Sequence, residues 1–215
     1  MSGVLPGGAV LATFAAASLL LALTPGPAVV YIVSRSLAQG RRAGLAAVAG
    51  IALGNLGNAL GAALGLATLF AVSAAAFTVV KDLGALYLIY LGVRALRGGP
   101  LSRRAEAPPA HPWRGVGDAF VVALFNPKTT LFFAAFLPQF VTAGASLVAQ
   151  SVALGALFVA IAATTDTLYA VAAGAAASLL ARRHRLRSAG RYLSGGTFIG
   201  LGLLALAGGR RDALR

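Results

Sequence analysis

Cysteine is absent from the 215 residues, histidine occurs twice, and Asp and Glu together number only five. Without thiols there is no disulfide framework and no thiolate metal site. Both histidines, His111 and His184, stand in polar stretches. The apolar segments therefore hold no base for a serine nucleophile and no histidine pair for a zinc hydrolase. A cation site needs clustered oxygen or nitrogen ligands, and the only acid deep in an apolar block is Asp166. Charged residues make up 11% of the chain, where a soluble domain carries roughly 25%.

What the chain has instead is apolar sequence, 59% hydrophobic with a mean hydropathy of +0.85. Alanine, leucine, valine and glycine run in blocks longer than a soluble core needs. The length suits about six membrane spans of ~20 residues joined by short loops. The net charge of +13 comes from arginines clustered between the blocks. That is where the positive-inside rule places them, so the basic excess reads as topology and not as a nucleic-acid surface. The apolar N-terminus lacks a basic leader and reads as a retained first span.

Spans are expected at about 10–33, 43–66, 74–96, 116–140, 147–171 and 192–207. The loops between them alternate basic and neutral, which puts 35–42, 94–114 and 182–191 in the cytoplasm. Six full spans leave both termini outside, although Arg210, Arg211 and Arg215 in the tail favour the inside. Residues 1–97 form one repeat, 98–114 a basic cytoplasmic linker, 115–209 a second repeat and 210–215 a short tail, all within one membrane transporter domain. Each repeat has three spans, an odd number, so the second must be inserted upside down relative to the first. The fold class is therefore an all-α integral membrane protein of two inverted three-helix repeats. In the second span, Gly50, Gly54, Gly57, Gly61 and Gly65 step along one helix face and invite close approach of another helix.

Two motifs break spans 1 and 4: Thr24-Pro25-Gly26-Pro27 and Asn126-Pro127-Lys128. A proline has no N–H for the carbonyl four residues back. Pro25, Pro27 and Pro127 thus strand the carbonyls of Leu21, Leu23 and Ala123, which need partners inside protein or beside a wet cavity. Thr24 and Asn126 are good N-caps, each followed by a proline suited to the first helical position, so each motif can start a new half-helix within the membrane. The exposed N–H groups and positive dipole end of such a half-helix attract an anion such as an amino-acid carboxylate. Simple proline kinks are the plainer reading, but paired breaks in two halves of a chain point to a transporter's binding site.

Lys128 stands about a dozen residues into span 4, near the midplane, where an ammonium must be paired or hydrated unless it snorkels from a later span start. Asp166, with Tyr169 one turn on, is either a proton-relay acid or one held for structure by the surrounding Thr and Tyr hydroxyls. Asn55 and Asn58 share a face of span 2, the counterpart of span 5, and either line the same cavity or bond between helices. Lys81, near the start of span 3, is either an anchor reaching the outer surface or part of the path. Tyr87 and Tyr90 read as packing or interface residues.

Several of these features resemble the LysE/RhtB amino-acid exporter family. They are Thr-Pro-Gly-Pro at 24–27, Lys81 with Gly84-Ala85-Leu86-Tyr87-Leu88 and Gly92, and Asn126-Pro127-Lys128 followed by Leu131-Phe132-Phe133 and Leu137-Pro138-Gln139-Phe140. Their order and spacing match over nearly the whole chain. The resemblance implies a bacterial inner-membrane secondary transporter that exports amino acids or their derivatives, driven by the proton gradient. It implies a small-molecule substrate, a lipid bilayer as surroundings, no enzyme activity and no cofactor, and leaves a homo-oligomer open. The alternative is a cation or metal-ion exporter of the same broad superfamily, which the shortage of ligands and the charge of Lys128 both disfavour.

Overall fold

The computed structural model describes residues 6–64, 74–97, 112–141, 146–180, 192, 195–204 and 206. The side chain of Lys81, most of the 98–114 linker, the 182–191 arginines, Gly65 and the 210–215 tail lie outside the described residues. Among the described residues every regular element is helical: α1 (Gly8–Leu23), α2 (Pro27–Gln39), α3 (Arg41–Ala63), α4 (Ala74–Arg97), α5 (Pro112–Leu124), α6 (Pro127–Ala135), a 3₁₀ turn at Leu137–Phe140, and α7 (Leu147–Leu180). A short apolar helix, α8 (Gly195–Leu204), completes the set.

α3 and the Leu147–Ala177 stretch of α7 are each long and apolar enough to cross a membrane. α1 with α2, and Gly115–Leu124 with Pro127–Phe140, have the length and apolarity of a span only as pairs, bent by 50° and 45° at their breaks. The segments expected as spans 1 and 4 are thus each two helices that meet at a proline motif. Between α2 and α3 the chain reverses at Gly40, whose φ of +86° is a left-handed conformation open to glycine. Its N–H closes α2 on the Ser36 carbonyl while its own carbonyl accepts from Gly44 to open α3.

Close contacts at small residues fix the helix directions. Gly50 of α3 faces Val116 and Ala119 of α5, Gly54 faces Phe120 and Ala123, and Gly57 faces Leu124, so α3 and α5 run the same way. Gly44 faces Ala170 while Gly155 faces Ala59, so α3 and α7 run in opposite directions. Gly92 faces Gly195 and Ile199, and Gly202 faces Ala85 and Ile89, so α4 and α8 are also antiparallel. The two broken spans cross in the same sense: Phe14 meets Phe140 at 5.2 Å between ring centroids, and Tyr31 reaches the Gly115 carbonyl at 3.3 Å. Among the described residues, each of these helices thus packs antiparallel to its counterpart in the other half of the chain.

Two apolar clusters flank the breaks. One gathers Tyr31, Ile32, Ile51, Leu88, Leu91, Val122 and Phe198. The other gathers Phe14, Phe132, Phe133, Leu137, Leu154 and Phe158.

Candidate functional site at the facing helix breaks

All three carbonyls stranded by proline have a side-chain donor from another helix. Lys128 Nζ donates to Leu21 O at 2.9 Å, Tyr169 Oη to Leu23 O at 3.0 Å, and Asn58 Nδ2 to Ala123 O at 2.9 Å. Two of these carbonyls also take a nearby backbone N–H, Leu21 O from Thr24 at 3.1 Å and Ala123 O from Asn126 at 3.2 Å. The polar residues of α3, α6 and α7 therefore complete the backbone of the broken spans.

Lys128 does more than fill one gap. Its ammonium also donates to Thr24 O at 2.6 Å, so it caps the C-terminal end of α1 with a positive charge, as helix dipoles favour. Its stem lies over Gly26, where an added Cβ would sit 3.4 Å from Cδ, Cε and Nζ. The lysine is half-buried and bridges the two breaks, with α5 preceding it. An ammonium has three donors, so one remains after Leu21 and Thr24.

The two half-helix starts differ. Asn126 caps α6, its side chain accepting from the Lys128 N–H at 3.1 Å, with Pro127 in the first turn. The expectation that Thr24 caps the other half-helix is corrected. α2 starts at Pro27 with Gly26 at the cap position, and no side chain caps it. Thr24 ends α1 instead, its hydroxyl donating back to Leu20 O at 2.8 Å. With two prolines two residues apart, the second takes the first helical position and Pro25 is left in the link. The orphan N–H groups of Ala28 and Val29 at the start of α2 make it the less satisfied of the two dipole ends.

Asp166 on α7 is 5% exposed, and its carboxyl lies within electrostatic reach of Lys128. The surrounding hydroxyls do not hold it in place. Thr164 donates to Ala160 O, Thr165 to Ala162 O and Thr167 to Ala163 O, all within α7, and Tyr169 donates to Leu23 O. Asn58 acts between helices, while Asn55, 4% exposed, keeps a buried Oδ1 without a partner. Thr130, in the first turn of α6, likewise has a buried Oγ1 without a partner. The breaks thus bring together Thr24, Pro25, Gly26, Pro27, Asn126, Pro127, Lys128, Asp166 and Tyr169, with Asn58 beside them.

The sequence reading missed Asp118. It stands on α5 and accepts from Tyr87 Oη at 3.1 Å and from the Arg94 guanidinium. Its position a few residues inside span 4 reads as interfacial, and its partners lie on another span. The available signal was the spacing of Tyr87, Tyr90 and Arg94, three and four apart, which puts them on one face of α4.

Residues 19–209 match the family described as LysE type translocator. The chain is 30% identical over 198 residues to an uncharacterised membrane protein of Pseudomonas aeruginosa, covering 89% of this chain and 92% of that one. It is 31% identical over 131 residues to the leucine efflux proteins of Salmonella choleraesuis and Salmonella typhimurium, covering 60% of this chain and 62% of theirs. The match thus spans less than two thirds of those leucine efflux proteins. No solved structure matches.

Proposed function

The chain belongs to the LysE type translocator family, and from that premise we propose that it exports amino acids or their simple derivatives through the two facing breaks. The family is one of translocators, not enzymes. The chain is a multi-pass membrane protein in which α3, α7 and two bent helix pairs have the length and apolarity of spans. The observation that carries the proposal is the bridge made by Lys128, which joins the end of α1 to the start of α6 with an acid of α7 in electrostatic reach.

An amino acid is a zwitterion, and the breaks offer a pole for each charge. The open N-terminus of α2 and the remaining donor of Lys128 suit the carboxylate. Asp166 suits the ammonium. Asn55 and Thr130 hold buried acceptors without partners, which suits them to orient a hydrogen-bonding guest. We assign proton coupling to Asp166, since an acid that alternates between neutral and ionised states can carry a proton when the substrate leaves. The leucine efflux activity named for the Salmonella relatives supports an amino-acid cargo. The family supports a bacterial inner-membrane placement, and the charge alternation of the loops supports arginine-rich loops in the cytoplasm. Residues 1–97 and 115–209 are the two repeats in this reading, and every group invoked belongs to one chain. The cation-exporter alternative is not favoured, because the Lys128 ammonium stands in the proposed path and repels a cation.

The test is efflux from proteoliposomes preloaded with each common amino acid, or with homoserine, in turn. At least one should leave faster than from protein-free liposomes, and an imposed pH gradient should accelerate it. Protein-free rates for the whole panel would sink the proposal.

A further inference from the structure

The end of α1 is a cluster of backbone oxygens. Pro25 and Pro27 leave Leu21 O and Leu23 O without their helical donors, and Thr24 O lies in the link between α1 and α2. These carbonyls stand at the negative end of the α1 dipole. Tyr169 Oη serves Leu23 O at 3.0 Å, a neutral contact from a single donor. Leu21 O and Thr24 O are held differently. One ammonium, Lys128 Nζ, spans both at 2.9 and 2.6 Å. The buried carboxyl of Asp166 lies within electrostatic reach of the same nitrogen.

Two carbonyls at the negative end of a helix, with an acid nearby, are the ligand chemistry of a hard cation. In transporters built on broken helices, unwound carbonyls and half-helix C-terminal ends hold the coupling ion, while half-helix N-terminal ends face an anionic cargo. Here the same kind of end is held by a side chain. The backbone of that side chain is itself pinned, because Asn126 Oδ1 accepts from the Lys128 N–H at 3.1 Å and fixes the start of α6. The stem then passes over Gly26, where an added Cβ would lie 3.4 Å from Cδ, Cε and Nζ. An ammonium has three donors, so the third is left to meet the carboxylate of a guest.

We propose that the Lys128 ammonium is a tethered cation, filling from within the chain a carbonyl site at the end of α1 that has the chemistry to take a free monovalent cation such as sodium or potassium. The consequence for coupling rests on the transport reading given above. Export then needs no alkali cation, because the charge that joins the helix end to the cargo never leaves the protein. A free ion would be bound and released in every cycle. A tethered one shifts only within the reach of its four-carbon stem.

The experiment is thermal melting of the purified protein in detergent. Lys128→Ala removes the ammonium and its stem and leaves room for a small cation beside the two carbonyls. Lys128→Met removes the charge and keeps the stem in place. Each is melted in ammonium chloride and in tetramethylammonium chloride at one ionic strength, the second cation being bulky and without N–H donors. Ammonium should raise the midpoint of Lys128→Ala by about 2–4 °C over tetramethylammonium, the shift of one regained contact in a chain of this length. Lys128→Met and the unaltered protein should show no such gain. No ammonium-specific gain in Lys128→Ala, or an equal gain in Lys128→Met, would overturn the proposal. The unaltered protein supplies a second measurement that needs no variant. Its midpoint should be the same in sodium, potassium and choline chloride, and a specific rise in sodium or potassium would overturn the proposal even if Lys128→Ala does not fold. None of these readings needs a cargo. If ammonium rescues Lys128→Ala but no amino acid is exported, the tethered cation stands and the transport reading falls.

Discussion

Lys128 Nζ lies 2.9 Å from the carbonyl oxygen of Leu21, the group that Pro25 deprives of its helical donor. The two residues belong to opposite halves of the chain, so the second half finishes a helix of the first. The same ammonium reaches Thr24 O. Lys128 therefore has a structural duty that its place in the sequence alone does not reveal, and among the described residues one of its three donors is left over. These two roles separate experimentally.

Replacing Lys128 with Met keeps the stem over Gly26 and removes the charge. Leu21 O retains the Thr24 N–H at 3.1 Å, so the fold should survive with a loss of about 1 kcal/mol, the scale of a hydrogen bond between membrane helices. Export should fall far more, by about tenfold or beyond, as the loss of a charged contact to substrate implies. Efflux per mole of protein, set against thermal stability in detergent, checks this. A stable Lys128→Met protein that exports at the normal rate would remove the lysine from the site. Lys128→Arg should also be impaired, because a planar guanidinium cannot reproduce the two carbonyl contacts of an ammonium over Gly26.

The partners of the other two stranded carbonyls should rank differently. Ala123 O keeps a second donor, the Asn126 N–H at 3.2 Å, when Asn58 is lost. Among the described residues, Leu23 O has Tyr169 Oη as its donor and no backbone substitute. Tyr169→Phe should therefore destabilise at least as much as Asn58→Leu, with both within about 2 kcal/mol on the scale of such bonds in membranes. Melting curves of the two variants decide the order. A clearly larger loss for Asn58→Leu would contradict it.

The proline breaks were legible in the sequence because the rule behind them is local. A missing N–H at 25, 27 and 127 names the stranded carbonyl in each case. Which side chain would fill each gap was not legible, since Lys128, Tyr169 and Asn58 lie 107, 146 and 65 residues from their acceptors in the chain. Thr24 misled for a related reason. Capping preference is a statement about one residue and its next turn, but Pro25 and Pro27 compete for the same first helical position. Pro27 takes it, with Gly26 at the cap position. Asp118 was lost to its context, because an acid near the end of a span looks solvated until Arg94 and Tyr87 of another span are placed beside it. The glycine stripe of α3, in contrast, is a periodic signal, and Gly50, Gly54 and Gly57 all face α5 as the spacing implies.

That stripe yields its own prediction. A Cβ at Gly54 would meet the Phe120 carbonyl and the Ala123 Cβ at 2.6 Å and the Leu124 nitrogen at 3.0 Å, mostly backbone that cannot turn aside. At Gly57 it would meet the Leu124 Cδ1 at 3.1 Å, the end of a flexible side chain. Gly54→Ala should cost about 1–3 kcal/mol by overpacking, while Gly57→Ala should be close to neutral. Thermal stability of the two purified variants distinguishes them, and equal losses would mean that α5 yields to α3 more readily than the contacts imply.

Asp166 carries the strongest claim about mechanism. It is buried, the neighbouring hydroxyls donate elsewhere, and Lys128 is within electrostatic reach. Such a carboxyl is open to a proton in one state of the proposed cycle and to the substrate's ammonium in another. Asp166→Asn keeps the size and polarity of the side chain and removes the titration. The expected outcome is loss of efflux driven by a pH gradient while exchange of substrate across the membrane continues, since exchange needs binding but no net proton movement. Both fluxes are measured in the same reconstituted vesicles, so poor folding would lower them together and is distinguishable. An Asp166→Asn protein whose efflux still follows the pH gradient would take proton coupling away from this residue. Lys128, its electrostatic neighbour, would then be the next to test.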